Sequence, residues 1–202
     1  MKRENIRILV ACECSQAVCR SFRERGFSAF SCDLLPSYGG YPEYHIQGDA
    51  FDVCRLFSWH CVIAHPPCTF LSHAGARFLY SRRSFGFDWS RYAKGLSAAR
   101  FFRSFLDLPE VPFVCVENPT PEIVWNFPRP DCVINPWEFG HPYSKRTCLW
   151  LKGLPVLLPE SFIVSRDSWT DLHKSARVRS QTFVGVARAM ARQWGDFLVG
   201  AL

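Results

Sequence analysis

The sequence lacks the patterns that mark membrane, secreted and repeat proteins. No apolar run reaches the roughly 20 residues that a membrane-spanning helix needs. Residues 1–5 are mostly charged and lead directly into a strand-like segment, so the apolar core of a secretion signal is missing there. No internal repeat is present. These absences predict a cytoplasmic protein with no membrane partner.

Metal-ligand spacings are also absent, although the chain has ten cysteines. No two cysteines form a Cys-x-x-Cys pair, and none combines with histidine at the spacing of a zinc finger. The nearest approach to a ligand cluster is His65, Cys68 and His73, and the loop that holds them explains these residues without a metal. We therefore expect no metal site. Several other cysteines lie within apolar strand-like runs, which indicates a reduced protein core.

Length and composition favour a single folded domain over residues 1–202. Hydrophobic residues make up 48% of the chain, which is enough for one full core and leaves little for a second. The net charge of +6 suits a partner that carries phosphates, but a solvated surface explains the charge equally well.

Strand-like and helix-like segments alternate along the chain, which predicts an α/β fold with a mostly parallel sheet and helices on both faces. Two strands, 132–134 and 147–151, have no helix between them and should form an antiparallel hairpin at the sheet edge. The clearest helix covers 88–106, with Asp88 as its cap and an inward face at Trp89, Tyr92, Leu96, Ala99, Phe102 and Leu106. Further strands are predicted at 6–11, 28–32, 61–64 and 111–116, with a weak one from 45, and further helices at 15–25, 51–57 and 182–198.

A cysteine follows the most strongly apolar of these strands. The run Cys61–Ala64 ends at His65, and Pro66 and Pro67 then hold the chain in a stiff, extended turn that presents Cys68. The carboxyl end of a sheet strand is where α/β enzymes place reactive groups, so Cys68 is a candidate reactive thiol. A buried structural cysteine is the alternative, because free cysteine is usually a small hydrophobic residue.

Acidic or amide side chains follow other predicted strands. Asp33 and Asp49 each follow a strand, and Glu117 and Asn118 follow another. An acid at such a position accepts hydrogen bonds from ribose hydroxyls in nucleoside-binding folds, but an aspartate after a strand is also an ordinary turn residue. Glu117 could act as an acid or, when protonated, as a hydrogen-bond donor, and the alternative is a helix cap.

Two loops add further candidates. Cys12–Gln16, between the first strand and the first helix, contains no glycine, so the dinucleotide-binding fingerprint is absent. Within it, Glu13 and Ser15 are placed either to cap the helix or to contact a ligand. The segment 74–87 could bind phosphate or could simply be a solvated loop, and its basic residues include Arg77, Arg82 and Arg83.

These motifs, taken in their order, resemble those of S-adenosylmethionine-dependent methyltransferases. More specifically, they resemble the C5-cytosine DNA methyltransferases, including a group of short phage and prophage proteins. The resemblance runs along most of the chain and rests on Ile8–Ser15, Asp33, Gly48-Asp49, His65–Cys68, Val116–Asn118, Lys145-Arg146 and Gln181–Gly185. It implies a Rossmann-like, methyltransferase-like sandwich.

The resemblance also implies roles for individual residues. Catalysis would use Cys68 as the thiolate that adds to C6 of cytosine, Glu117 to hold and protonate the ring at N3, which requires a pKa raised by burial, and Arg146 to stabilise negative charge. In a duplex the base would have to flip out to reach the thiol. S-adenosylmethionine would be the cofactor, bound by Cys12, Glu13, Ser15, Asp33, Asp49 and Pro66. DNA or a cytosine nucleotide would be the substrate, contacted by Pro67, Asn118 and Lys145.

Two classes of function remain open. Retention of Cys68 and Glu117 favours an active cytosine-C5 methyltransferase. The first motif, Ile8–Ser15, contains no glycine, and this favours an inactive methyltransferase-like module that binds nucleic acid or protein. The stretch 147–180 favours the same alternative, because it is too short for a target-recognition domain of ordinary size. A protein partner could supply target recognition. Methylation of an amino group on adenine or cytosine needs no thiol, so Cys68 argues against it.

Overall fold

Nine strands and seven α-helices occur in the described part of the computed structural model, which covers residues 1–80, 86–164, 167–173 and 175–202. The strands are β1 Arg7–Ala11, β2 Ser28–Asp33, β3 His45–Gln47, β4 Cys61–Ala64, β5 Phe113–Pro119, β6 Cys132–Ile134, β7 Tyr143–Ser144, β8 Thr147–Lys152 and β9 Asp167–Ser168. The helices are α1 Ala17–Glu24, α2 Ala50–Leu56, α3 His73–Ala76, α4 Trp89–Leu106, α5 Trp169–Leu172, α6 Ala176–Ser180 and α7 Val184–Ala201.

Seven of the strands form one sheet in the order β3-β2-β1-β4-β5-β8-β6. The first five are parallel to one another, and β8 is antiparallel to both of its neighbours. The prediction of a mostly parallel, Rossmann-like sheet with an antiparallel pair at one edge is therefore confirmed. Because β1 to β5 are parallel, their carboxyl ends lie along the same edge of the sheet.

Burial on both faces explains why the central strands are apolar throughout. All four residues of β4 are buried, as are Ile8–Ala11 of β1. One face of the sheet packs against α1 and α7, where Phe22 and Trp194 are fully buried. The other face packs against α2 and α4. This three-layer arrangement matches the near-continuous hydrophobic runs that parallel strands require.

The capping signals of the sequence act as predicted at α4. The Asp88 carboxylate accepts a hydrogen bond from the Arg91 amide at 2.8 Å, which satisfies one of the free donors of the first turn. The predicted inward face was wrong at its first member, because Trp89 is 72% exposed. The Trp89 ring makes an edge-to-face contact with Phe87, a ring that packs against the core from its margin.

The largest difference from prediction concerns the end of β5. The strand was expected to stop at residue 116, but it continues through Glu117, Asn118 and Pro119. These residues pair with β8, with Glu117 opposite Leu149 and Asn118 opposite Cys148. Since β8 is antiparallel and distant in sequence, nothing near residue 117 indicates this extension. Glu117 is therefore a strand residue and not a helix cap.

Over the described residues, no helix combines the length and apolar character needed to cross a membrane.

Candidate active site

The loop after β4 and the end of β5 are joined by a hydrogen bond. The side-chain amide of Asn118 donates to the carbonyl oxygen of Pro66 at 2.8 Å. The carbonyl of Cys68 accepts from the amides of Leu71 and Ser72, both at 3.0 Å, so the chain turns tightly after the thiol. Pro66 and Asn118 are buried, Cys68 is half-buried and Pro67 is exposed. The loop thus presents Cys68 at the sheet edge next to Glu117.

The thiol of Cys68 lies among charges of both signs. Burial and the negative charge of Glu117 raise its pKa, while the positive charges of Lys145 and Arg179 lower it, and the net shift is upward. Cys68 is therefore a protonated thiol at neutral pH in the ligand-free protein. Its proton must leave before the sulfur can act as a nucleophile.

Glu117 carries the opposite shift to the one that its expected role requires. Burial by itself would raise the pKa of Glu117. The hydrogen bond and charge of His65 and the charge of Lys145 lower it by a larger amount, so the net shift of the pKa is downward. The expectation of a pKa raised by burial was therefore wrong. The physical reason is the hydrogen bond and electrostatic interaction with His65 together with the charge of Lys145, so Glu117 is a carboxylate in the ligand-free protein.

His65 is a functional candidate to which sequence reasoning assigned no catalytic role, since it was considered only as a metal ligand and as the first residue of the motif His65–Cys68. Its Nδ1 lies 3.1 Å from Oε2 of Glu117, and the imidazole and carboxyl side chains are only 10% and 17% exposed. The signal that could have found it is its position, directly after a buried strand and directly before Pro66.

The two basic residues before β8 face different surroundings. Lys145 is the one whose charge acts on both Cys68 and Glu117. Arg146 is exposed, and its Nε donates to Oγ1 of Thr120 at 3.1 Å. Of these two basic residues, Lys145 is therefore the one whose charge acts on the proposed reacting groups.

Three of the predicted cofactor residues meet at the ends of β1, β2 and β3. Burial and the negative charges of Asp33 and Asp49 are among the causes that raise the pKa of Cys12, which shows that the two aspartates lie near this thiol. Asp33 also accepts from the Leu35 amide at 3.0 Å. Asp49 caps α2 by accepting from Phe51 at 2.8 Å. A pair of carboxylates beside an apolar strand end can accept hydrogen bonds from the hydroxyl and amino groups of a nucleoside.

Glu13 and Ser15 serve the start of α1. The Glu13 carboxylate is buried and accepts from the amides of Val18 at 2.8 Å and Cys19 at 3.2 Å. The hydroxyl of Ser15 donates to the same carboxylate at 3.2 Å. Of the two interpretations of these residues, helix capping is the one that the contacts show. Burial raises the pKa of Glu13, although His65 and these hydrogen bonds lower it in part.

The glycine-free loop adopts backbone angles that glycine usually supplies. Cys12 has φ +60° and Gln16 has φ +57°, both in the left-handed region. The Gln16 side chain bonds twice to the backbone of Tyr41, at 2.8 and 3.1 Å, and these bonds hold the loop in place.

The motif Gln181–Gly185 also lies at this site. A small cavity of about 20 Å³ next to Glu117 is also lined by Lys145, Thr182 and Phe183. Gly185 lets the first turn of α7 pack closely against the backbone of Phe139, because a Cβ at position 185 would meet the carbonyl oxygen of Phe139. Thr182 and Phe183 belong to the motif Gln181–Gly185 on which the family resemblance rests, but neither was named as a site residue.

The basic loop at 74–87 stays a prediction. Arg82 and Arg83 lie outside the described residues. Among the residues that the structure describes, no three His, Cys, Asp or Glu side chains come together as metal ligands.

Comparison with known proteins finds similarity only among solved structures. No protein-family model matches the sequence, and no curated protein matches it either. A proposed DNA modification methyltransferase encoded within an E. coli prophage is 12% identical with a TM-score of 0.47, over 79% of this chain and 52% of that one.

Two eukaryotic structures are similar to the same degree. A triple mutant of DNMT2 from Spodoptera frugiperda is 14% identical with a TM-score of 0.43, over 81% of this chain and 55% of that one. The methyltransferase EhMeth of Entamoeba histolytica is 13% identical with a TM-score of 0.49, over 81% and 58%. The chain thus spans between 52% and 58% of the length of these three structures.

Proposed function

We propose that this chain is an S-adenosylmethionine-dependent methyltransferase that acts on C5 of cytosine. The observation that carries the proposal is the meeting of Cys68, Glu117 and Asn118 at the carboxyl ends of β4 and β5. A binding protein needs neither a thiol nor a buried carboxylate at this place, whereas C5 methylation needs both.

The chemistry follows from the weak nucleophilicity of C5. After losing its proton, the sulfur of Cys68 forms a bond to C6, and the electrons of the C5–C6 double bond move toward C5. C5 then takes a methyl group, after which loss of the C5 proton breaks the S–C6 bond and restores the ring. Lys145 and Arg179 favour the thiolate through their charge. We assign to Arg146 the role of stabilising negative charge on the base or its phosphate.

Glu117 would hold the base at N3, with Pro67 and Asn118 forming the wall beside it. S-adenosylmethionine would supply the methyl group as a sulfonium. In this proposal Asp33 faces the ribose and Asp49 the adenine, while Pro66 lies between cofactor and substrate. Cys12, Glu13 and Ser15 would shape the adjoining loop.

DNA or a cytosine nucleotide is the substrate that this proposal names, and the net charge of +6 supports a phosphate-bearing partner. We further propose that residues 1–202 act as one catalytic domain in the cytoplasm, and that any target recognition comes from a protein partner.

A second candidate is a methyltransferase-like module without turnover, which binds nucleic acid or protein. The observation that favours it is the loop between β1 and α1. The backbone there is left-handed at Cys12 and Gln16, although neither is glycine, and the Glu13 carboxylate accepts a hydrogen bond from the first turn of α1.

Calorimetric titration with S-adenosylmethionine tests the proposal, beside Cys68→Ser and the control Cys132→Ser at the sheet edge. Binding by all three is expected. A 5-fluorocytosine oligonucleotide with the cofactor should then trap a covalent adduct, because fluorine at C5 blocks the final elimination. The adduct should form with wild type and Cys132→Ser but not with Cys68→Ser. Absence of cofactor binding by the wild type would favour the second candidate.

A further inference from the structure

His65 occupies a position that the proposed reaction leaves without a role. It directly follows β4, and its amide donates to the carbonyl of Ala11 at 2.9 Å, which fixes the backbone between β1 and β4. Its imidazole is buried, with Nδ1 at 3.1 Å from Oε2 of Glu117. A carboxylate can only accept, so Nδ1 carries the hydrogen of this bond.

The other ring nitrogen is buried without a partner. Nε2 of His65 has no hydrogen-bond partner within the described part of the chain. Glu13, a second buried acid, lies close enough for the two groups to interact electrostatically. The imidazole therefore interacts with the carboxyl groups of both Glu117 and Glu13. The other titratable groups that interact with Glu117 are Lys145, Cys68, Cys115 and Cys148.

Among the described residues, one oxygen of the Glu117 carboxylate has a hydrogen-bond partner. Oε2 takes the bond from His65, while Oε1 makes no hydrogen bond to any residue that the structure describes. A carboxylate held at one oxygen is fixed in orientation and keeps the other oxygen free for a ligand.

We propose that His65 is a positioning residue that orients Glu117 and holds the proton that Glu117 passes to N3 of the bound cytosine. The inference rests on the proposed function and extends it, because it names the source of a proton that the ligand-free Glu117 carboxylate lacks.

The proton transfer balances without any further reactant. The proton on Nδ1 of protonated His65 first moves to Oε2 of Glu117, which makes Glu117 a neutral acid and His65 a neutral imidazole. Glu117 then gives that same proton to N3 of the base and becomes a carboxylate again. The imidazolium becomes a neutral imidazole, the base becomes N3-protonated, and Glu117 is a carboxylate before and after. Net charge inside the site is unchanged, so the step avoids the cost of creating a new buried charge.

The substitution His65→Asn separates the orientation of Glu117 from the supply of a proton. The amide nitrogen of His65→Asn lies near the place of Nδ1 and can still donate to Glu117, but it holds no transferable proton. The chain also offers a matched control in His73, whose Nδ1 lies 2.7 Å from Oε2 of Glu122 in a pair whose histidine is 80% exposed. His73→Asn removes the same kind of pair outside the site.

The experiment measures methyl transfer to a cytosine oligonucleotide as a function of pH, together with the titration of the Glu117 carboxyl by carbon NMR. His65→Asn should lower kcat by roughly 100-fold with the KM for S-adenosylmethionine unchanged, as for loss of a general acid. Its pH optimum should move to lower pH, because Glu117 must then take its proton from solvent. The pKa of Glu117 should rise, and His73→Asn should match wild type in every readout.

Several outcomes would overturn the inference. If Glu117→Gln abolishes transfer while His65→Asn keeps the wild-type rate and pH profile, the proposed function stands and the role of His65 is wrong. An unchanged Glu117 titration in His65→Asn would refute the pairing even without an activity assay. A wild type that transfers no methyl group would overturn both proposals. Should His65→Asn fail to fold, the His65 titration in Glu117→Gln must differ from wild type, and an identical curve would refute the pairing.

Discussion

The side-chain amide of Asn118 and the carbonyl oxygen of Pro66 are bonded at 2.8 Å, although 52 residues separate them in sequence. This bond connects the strand that carries Glu117 with the loop that carries Cys68. It sets the spacing of the two groups on which the proposed chemistry depends.

Removing that bond should destabilise the protein. Asn118→Ala leaves the Pro66 carbonyl without its donor, and we expect a loss of about 1–3 kcal/mol in the free energy of unfolding. Asn118→Asp keeps the volume but replaces the donor with an acceptor, so it should cost at least as much at neutral pH. Urea unfolding measures both, and losses below about 0.5 kcal/mol would show that the bond is not needed.

Lys145 and Arg146 should differ in their effect on Cys68. Because the charge of Lys145 lowers the pKa of Cys68, Lys145→Met should slow alkylation of Cys68 by iodoacetamide at pH 8 by about threefold to tenfold. Arg146→Met, the matched control next to it, should leave the rate near wild type. Mass spectrometry separates Cys68 from the other cysteines. Equal slowing by both substitutions would contradict the placement of Lys145.

Gln16 combines a strained backbone with two hydrogen bonds. Gln16→Ala loses both bonds and keeps the left-handed backbone, so it should cost about 2 kcal/mol at about 1 kcal/mol per bond. Gln16→Gly loses the same bonds but relieves about 1 kcal/mol of backbone strain, so it should be the more stable of the two. Thermal or urea unfolding gives the order. An alanine variant as stable as the glycine variant would contradict the left-handed conformation.

Two glycines of α7 should respond differently to alanine. At Gly185 the added methyl group would meet the carbonyl oxygen of Phe139, and we expect a loss of about 1–3 kcal/mol. At Gly200 the space is open, so alanine should be neutral or stabilise by up to about 1 kcal/mol through helix propensity. If both substitutions behave alike in urea unfolding, the close approach at the start of α7 is not present in solution.

Glu13 should make stability depend on pH in the acid range. Its pKa is raised in the folded protein, so between the ordinary glutamate pKa and the raised value the folded state binds more protons than the unfolded state. Stability should therefore fall as pH rises through this window, by up to 1.4 kcal/mol per unit of pH. Glu13→Gln should remove that component, which urea unfolding at pH 5, 6 and 7 would detect. A variant with the wild-type slope would assign the dependence to another group.

Local patterns sufficed for much of the fold. The buried strand β4 was predicted at its observed bounds, because an apolar run between polar residues is readable without tertiary contacts. The cap at Asp88 and the antiparallel pair of β6 and β8 were likewise predicted. The extension of β5 was not, since its partner β8 lies about 30 residues further along the chain.

The order of residues along the chain was enough to predict the alternation of strands and helices, and with it the edge of the sheet where Cys68, Asp33, Asp49 and Glu117 would lie. The charge state of that edge depends on contacts between residues that are distant in sequence. The pKa of Glu117 depends on His65, 52 residues away, and on Lys145. Electrostatic interactions depend on distance in space and on burial, and neither can be read from the order of residues along the chain.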